Sequence, residues 1–144
     1  MLSLFRNFIL YIVCYDVGFY LTHILLHTKM FYKYHRLHHD VSYERLTCYD
    51  TIKGDLIETI LQNAGILVPN IYIEYNFYHL LLSYVFIFLR GALRHDHRFT
   101  YLVGNHHLLH HKNQRYNFGE LWIDSLMGTM YPYKNHYIKG FIYN

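Results

Sequence analysis

At 144 residues and a formal net charge of +3, the chain has room for one domain of ordinary size. Hydrophobic residues make up 53% and charged residues only 16%, against about a quarter charged in soluble domains. That balance excludes a disordered chain. Eight Gly and two Pro exclude a collagen-like or low-complexity one, and two Cys, Cys14 and Cys48, exclude a disulfide framework. No Lys/Arg cluster suits nucleic acid. Mean hydropathy is nonetheless +0.00, because 13 His and 17 Tyr count as polar against the apolar remainder.

The first predicted element is Phe8–Leu26, apolar, free of Lys and Arg, and near the length that crosses a bilayer. It lacks a small-residue cleavage site and carries Asp16 and His23, so it reads as a membrane helix rather than a signal peptide. Two shorter apolar stretches follow, Leu56–Ile73, broken by Gly65 and Pro69, and Phe77–Leu89. They predict either a shallow hairpin or two crossings, turning near Pro69–Asn76. Lys29, Lys33, Arg36, Arg45 and Lys53 precede this pair; Arg90, Arg94, Arg98, Lys112 and Arg115 follow it. The positive-inside rule places both basic segments in the cytosol. Met30–His39, Gly104–His111 and Gly119–Gly128 lack the alternation of strands and are expected as helices. The predicted fold class is all-α: integral membrane helices with a cytosolic helical cap.

Three histidine clusters occupy these cytosolic and membrane-edge segments: His23 with His27; His35, His38 and His39; and His107, His110 and His111. Spacings of three and four residues bring side chains to one side of a helix. Two copies of H-x-x-H-H at a distance, beside one H-x-x-x-H, point to eight nitrogen ligands for a di-metal site in the cap. Imidazole suits Zn, Cu, Fe and Ni. A metal beside an apolar interior suggests an apolar substrate, whose unactivated C–H bonds call for oxygen chemistry with a redox metal, best supplied by two irons. The Glu-x-x-His pattern of carboxylate-bridged di-iron bundles is lacking, so the expected site is histidine-dominated. Asp16 shares a helix face with Tyr20, His23 and His27. A carboxylate in an apolar helix needs a partner, and Asp16 is expected to orient a histidine of another cluster.

These residues resemble the fatty acid hydroxylase/sterol desaturase superfamily of membrane di-iron oxygenases. The resemblance rests on D-x-x-x-Y-x-x-H-x-x-x-H from Asp16 to His27, YKYHRLHHD (Tyr32–Asp40), HHLLHH (His106–His111), Asn117-Phe118-Gly119 and LWIDSLMGT (Leu121–Thr129). Within the superfamily the chain is most similar to sterol C-5 desaturases, through Arg94-His95-Asp96 and the GTMYP ending (Gly128–Pro132). The resemblance implies O2-dependent desaturation at C-5/C-6 of a Δ7-sterol, with electrons from a cytochrome b5-type donor. It implies two non-haem irons held by the eight box histidines and His95. Asp16 and Asp124 would orient ligands, and Asn117 would hold the backbone beside the third box. It also implies a single domain over 1–144, shortened at the N-terminus, in a multi-pass membrane protein of the endoplasmic reticulum, or of a host membrane if the source is viral, with its metals facing the cytosol. The chain departs from the family pattern at Ile24, at Asp55 and at Gly91, where related proteins carry other residues. Two alternatives stay open: a lipid or fatty acyl hydroxylase of the same superfamily, and an inactive metal-binding membrane protein. His79 is expected to be a hydrogen-bonded intramembrane histidine, His97 and His106 either spare or supporting the ligands from behind, and His136 solvated. Both cysteines should stay reduced, and the many Tyr could form interfacial belts.

Overall fold

In a computed structural model that describes residues 2–142, every regular element is helical. Helix α1 (Leu2–Leu26) and helix α4 (Phe77–Arg94) are both long and apolar enough to cross a membrane. The first starts earlier than the apolar stretch alone indicates, and α4 outlasts Leu89 by more than a turn. On α1 the outward residues recur every fourth position: Phe5, Ile9, Val13, Val17, Leu21 and Leu25 are all exposed. Asn7, Tyr11, Tyr20 and His23 are turned inward. A helix with apolar side chains outward and polar ones inward is suited to lipid rather than water.

The two long helices run in the same direction. Near their starts Asn7 Nδ2 lies 3.1 Å from His79 Nδ1, and toward their ends Arg90 pairs with Asp16. The leg that returns between them is α3 (Leu56–Asn63) followed by a 3-10 helix, Ala64–Ile71. Tyr11 Oη donates to Asn70 Oδ1 at 2.6 Å, so this leg reaches the far level of α1. A 3-10 helix rises about 2.0 Å per residue against about 1.5 Å in an α-helix, which stretches Leu56–Ile71 to about 28 Å. This leg is therefore long for its residue count, although it is too broken to read as a span. A Cβ on Gly18 would come within 2.7 Å of Gly65 Cα; two glycines let the backbones touch at this crossing, as small residues do between membrane helices.

The expected helix over Met30–His39 is instead a short α2 (Tyr32–His35) and a 3-10 turn, His38–Asp40. Bonds from His39 N to Arg36 O and Asp40 N to Leu37 O tighten the chain there. The cap continues through α5 (Thr100–Val103), α6 (His106–Lys112) and α7 (Leu121–Met127). Gly128, at φ 70° and ψ 22°, ends α7 in the left-handed conformation that glycine adopts without strain. Leu108 and Leu109 of α6 and Leu26 of α1 are buried, and His110 Nε2 lies 3.1 Å from His27 Nε2 just past the end of α1.

Candidate metal centre

His23 sits in the last turn of α1 and His27 just beyond it, while α6 carries His107, His110 and His111. The last residue of α2, His35, and the turn after it, with His38 and His39, come against both, and His95 caps the end of α4. All nine residues expected as ligands converge in two groups that could each hold a metal ion. One contains His23, His27, His35, His39 and His110; the other contains His38, His95, His107 and His111; within a group the donor atoms lie within 4.8 Å of one another. Each H-x-x-H-H box divides between them. His35 and His39 enter the first group and His38 the second, whereas His107 and His111 enter the second and His110 the first. The groups adjoin, with the His39 and His111 rings 4.6 Å apart.

The proton positions follow from the Nδ1 partners. Nδ1 of His23 faces Phe118 O at 2.5 Å, that of His38 faces Lys53 O at 2.9 Å, and that of His110 faces Tyr116 O at 2.7 Å. His95 Nδ1 faces Gly91 O at 2.8 Å and Thr51 Oγ1 at 2.7 Å, and His35 Nδ1 faces Glu58 Oε1 at 2.8 Å. A carbonyl oxygen only accepts, so these Nδ1 atoms carry the hydrogen and Nε2 keeps a lone pair. Burial pushes the imidazole of His27 down to about 3, that of His35 to about 4 and that of His95 to about 3. It holds His38, His39, His107, His110 and His111 below the usual range as well. Neutral rings thus bring lone pair against lone pair: Nε2 of His23 is 3.0 Å from Nε2 of His35, and Nε2 of His38 is 3.1 Å from Nε2 of His95. Two acceptors at that distance repel; a cation between them turns both contacts favourable. Donors on one ion with bonds of about 2.1 Å stand about 3.0–3.4 Å apart, which matches these spacings. Both ring nitrogens of His111 are buried without a hydrogen-bond partner, a costly state for polar atoms that an ion on one of them relieves. The donor set fits metal ions.

The expected orienters fare differently. Asp124 is fully buried and accepts from Phe118 N at 3.0 Å, Gly119 N at 2.9 Å and Thr129 Oγ1 at 2.6 Å, and contacts His106 Nε2 at 2.9 Å. It reaches His23 through the Phe118 carbonyl. Asn117, at φ 58°, donates to His106 O at 2.8 Å and accepts from Tyr131 N at 2.7 Å, gripping the start of α6. Asp16 touches no histidine and pairs with Arg90, a correction with a simple cause. Its helix face points the right way, but it lies about two turns below His23, level with the guanidinium from α4. Glu120 completes the cluster, 3.2 Å from Arg90 and paired with Arg94. His106 and His97 stand outside both metal groups, on Asp124 and on Tyr43 O, and His79 bonds Asn7.

Sequence reasoning missed Glu58 as a partner of the centre. Its Oε1 holds His35, while Oε2 accepts from Asp55 N in a capping box at the start of α3. The signal was present in Asp55-Leu-Ile-Glu58, and it carried two meanings at once, a helix cap and a histidine partner.

A cavity of ≈ 190 Å³ opens beside the second group. Its lining combines apolar side chains, Phe19, Tyr84, Ile87 and Phe88, with the charged Arg90, Arg94 and Glu120 and with His38, His95 and His107. No histidine of the first group lines it. A Cβ on Gly91, also in the lining, would meet only Thr51 Oγ1 at 3.8 Å, so the missing side chain leaves room next to His95.

Comparison with known proteins adds one match. A family model described as fatty acid hydroxylase matches residues 8–129. No curated protein and no solved structure matches the chain.

Proposed function

Since the chain belongs to the fatty acid hydroxylase family, we propose that it is a membrane oxidoreductase that uses two irons, held by the nine grouped histidines, to oxidise a C–H bond of a lipid with O2. The observation that carries this is the cavity whose lining joins apolar side chains of the long helices, Phe19, Tyr84, Ile87 and Phe88, to His38, His95 and His107. When bound, iron supplies the activation of O2 that unactivated C–H bonds require. The chain's own residues do the rest. Burial keeps the imidazoles neutral, backbone carbonyls and Glu58 fix their orientation, and the apolar wall admits a lipid while excluding water.

The finer reading is sterol C-5(6) desaturation, Δ7-sterol to Δ5,7-sterol, supported by Arg94-His95-Asp96, with His95 in the cavity's lining. Two hydrogens leave the sterol, and O2 with two electrons and two protons becomes two waters. A cytochrome b5-type donor on the cytosolic side of an endoplasmic reticulum membrane would supply the electrons. Expression in a host lacking its own C-5 desaturase, with sterol profiling, tests this reading. Δ5,7-sterols are expected. An unchanged sterol profile, with protein present and iron bound, overturns it, and a hydroxylated lipid in its place assigns the hydroxylase branch.

A further inference from the structure

Helix α7 turns Ile123 and Asp124 inward and leaves Trp122, Leu126 and Met127 exposed, Leu126 at 76%. Its one charged residue, Asp124, is buried, so the outward side is uncharged and mostly apolar, with the small hydroxyl of Ser125 exposed among the larger side chains. Both ends of α7 are pinned to the same side chain of α1. A Cβ on Gly119 would come within 2.9 Å of the Tyr20 ring, and Thr129 Oγ1 lies 3.2 Å from Tyr20 Oη. The outward apolar stripe of α1 does not stop at that level. It runs through Leu21 and on to Leu25, five residues beyond Tyr20, or about 7.5 Å further along the axis.

We propose that α7 is an interfacial helix, with Trp122, Leu126 and Met127 seated in the bilayer at the boundary between headgroups and acyl chains on the side of the histidine groups. This rests on α1 crossing the membrane. Lipid that covers Leu21 and Leu25 also covers whatever is fixed at the level of Tyr20, and the depth agrees with the roughly 5–10 Å at which apolar faces of interfacial helices lie. Trp is the side chain most at home there, its ring apolar and its N–H able to reach water or a headgroup. The inward side of α7 carries Asp124, which accepts from Phe118 N and Gly119 N, and the Phe118 carbonyl orients His23. Lipid contact on one side of this short helix and ligand orientation on the other are thus one rigid unit.

Trp122 is the chain's single tryptophan, so tryptophan emission, excited beyond the tyrosine absorption band, reports on α7 alone. The full-length protein is reconstituted into phosphatidylcholine vesicles, floated on a density gradient, and measured with lipids brominated near the headgroup or near the chain end, and with aqueous iodide. Expected are flotation, at least about twofold quenching by the shallow bromolipid, weaker quenching by the deep one, and protection from iodide. Flotation with an emission that iodide quenches and bromolipids do not overturns the α7 placement while the membrane reading stands. Protection from iodide without bromolipid quenching means protein covers the helix, and overturns it too. Failure to float removes both.

Discussion

Replacing Asp16 by Ala separates two roles that its position allows. The carboxylate, Arg90 and Glu120 are each less than a tenth exposed, and Arg94 joins them through Glu120, so two anions balance two cations out of reach of water. Removing one partner of a buried pair costs about 3–5 kcal/mol, because a charge is left uncompensated. Glu120 remains 3.2 Å from Arg90, which puts the expected loss at the lower end, about 3 kcal/mol. At about 2–4 °C per kcal/mol the unfolding midpoint falls by about 6–12 °C. The double variant Asp16→Leu/Arg90→Leu leaves the Arg94–Glu120 pair intact and should recover at least half of that. Metal content tells the roles apart. Asp16 contacts no histidine, so purified Asp16→Ala, loaded well below its midpoint, should hold as much iron per chain as the parent. Thermal unfolding followed by circular dichroism, with iron analysis on the same samples, measures both. A tenfold weaker metal affinity with a midpoint shifted by less than about 2 °C would refute the reasoning and return Asp16 to the metal centre.

Glu58→Ala should weaken metal binding about 10–100-fold in competition with a chelator, by freeing the His35 ring, while Glu58→Gln, whose amide oxygen still accepts from Nδ1, should recover most of it. His111→Ala removes a ligand of the four-histidine group and should lower bound metal toward one ion per chain; His106→Ala, whose ring sits on Asp124 instead, should leave metal content unchanged. Acid should destabilise the metal-free protein. The folded imidazoles of His35 and His95 titrate at about 4 and about 3, below the ordinary value of about 6.5. Their stabilising contribution is therefore complete above that value and is lost as pH falls toward the folded one. Between pH 7.5 and 5.5 each gives up about 1.4 kcal/mol, so denaturant midpoints should fall across that interval, and midpoints flat down to pH 5.5 would show that the rings are not buried neutral.

Much of the centre was legible because its ligands are side chains with a rhythm. About 100° separates successive helical residues, so i and i+4 lie on nearly one bearing, while i+3 diverges from i+4 by a full residue's turn. On a continuous helix H-x-x-x-H can therefore face one group, as His23 and His27 do, whereas H-x-x-H-H on α6 reaches toward two; the second box divides the same way although its helix ends at His35. His35 and His39 share a group that excludes His38, and His107 and His111 share one that excludes His110. The rhythm counts groups but does not fill them, since His95 joins the second from a helix end with no partner in its own segment. The orienting shell was mostly illegible for a different reason. Lys53, Gly91, Tyr116 and Phe118 act through backbone carbonyls, which every residue type possesses, so identity carries no signal. Asp16 misled because helix phase fixes direction and leaves depth and partner open; only the placement of α4 decides that a guanidinium lies within reach. The choice between a shallow hairpin and two crossings stayed open for a reason of length, since a 3-10 leg covers with fewer residues a distance that hydropathy measures in α-helical turns. Side-chain chemistry at fixed spacing is thus readable from the chain, and backbone chemistry and inter-helix depth become readable only once the three legs are packed.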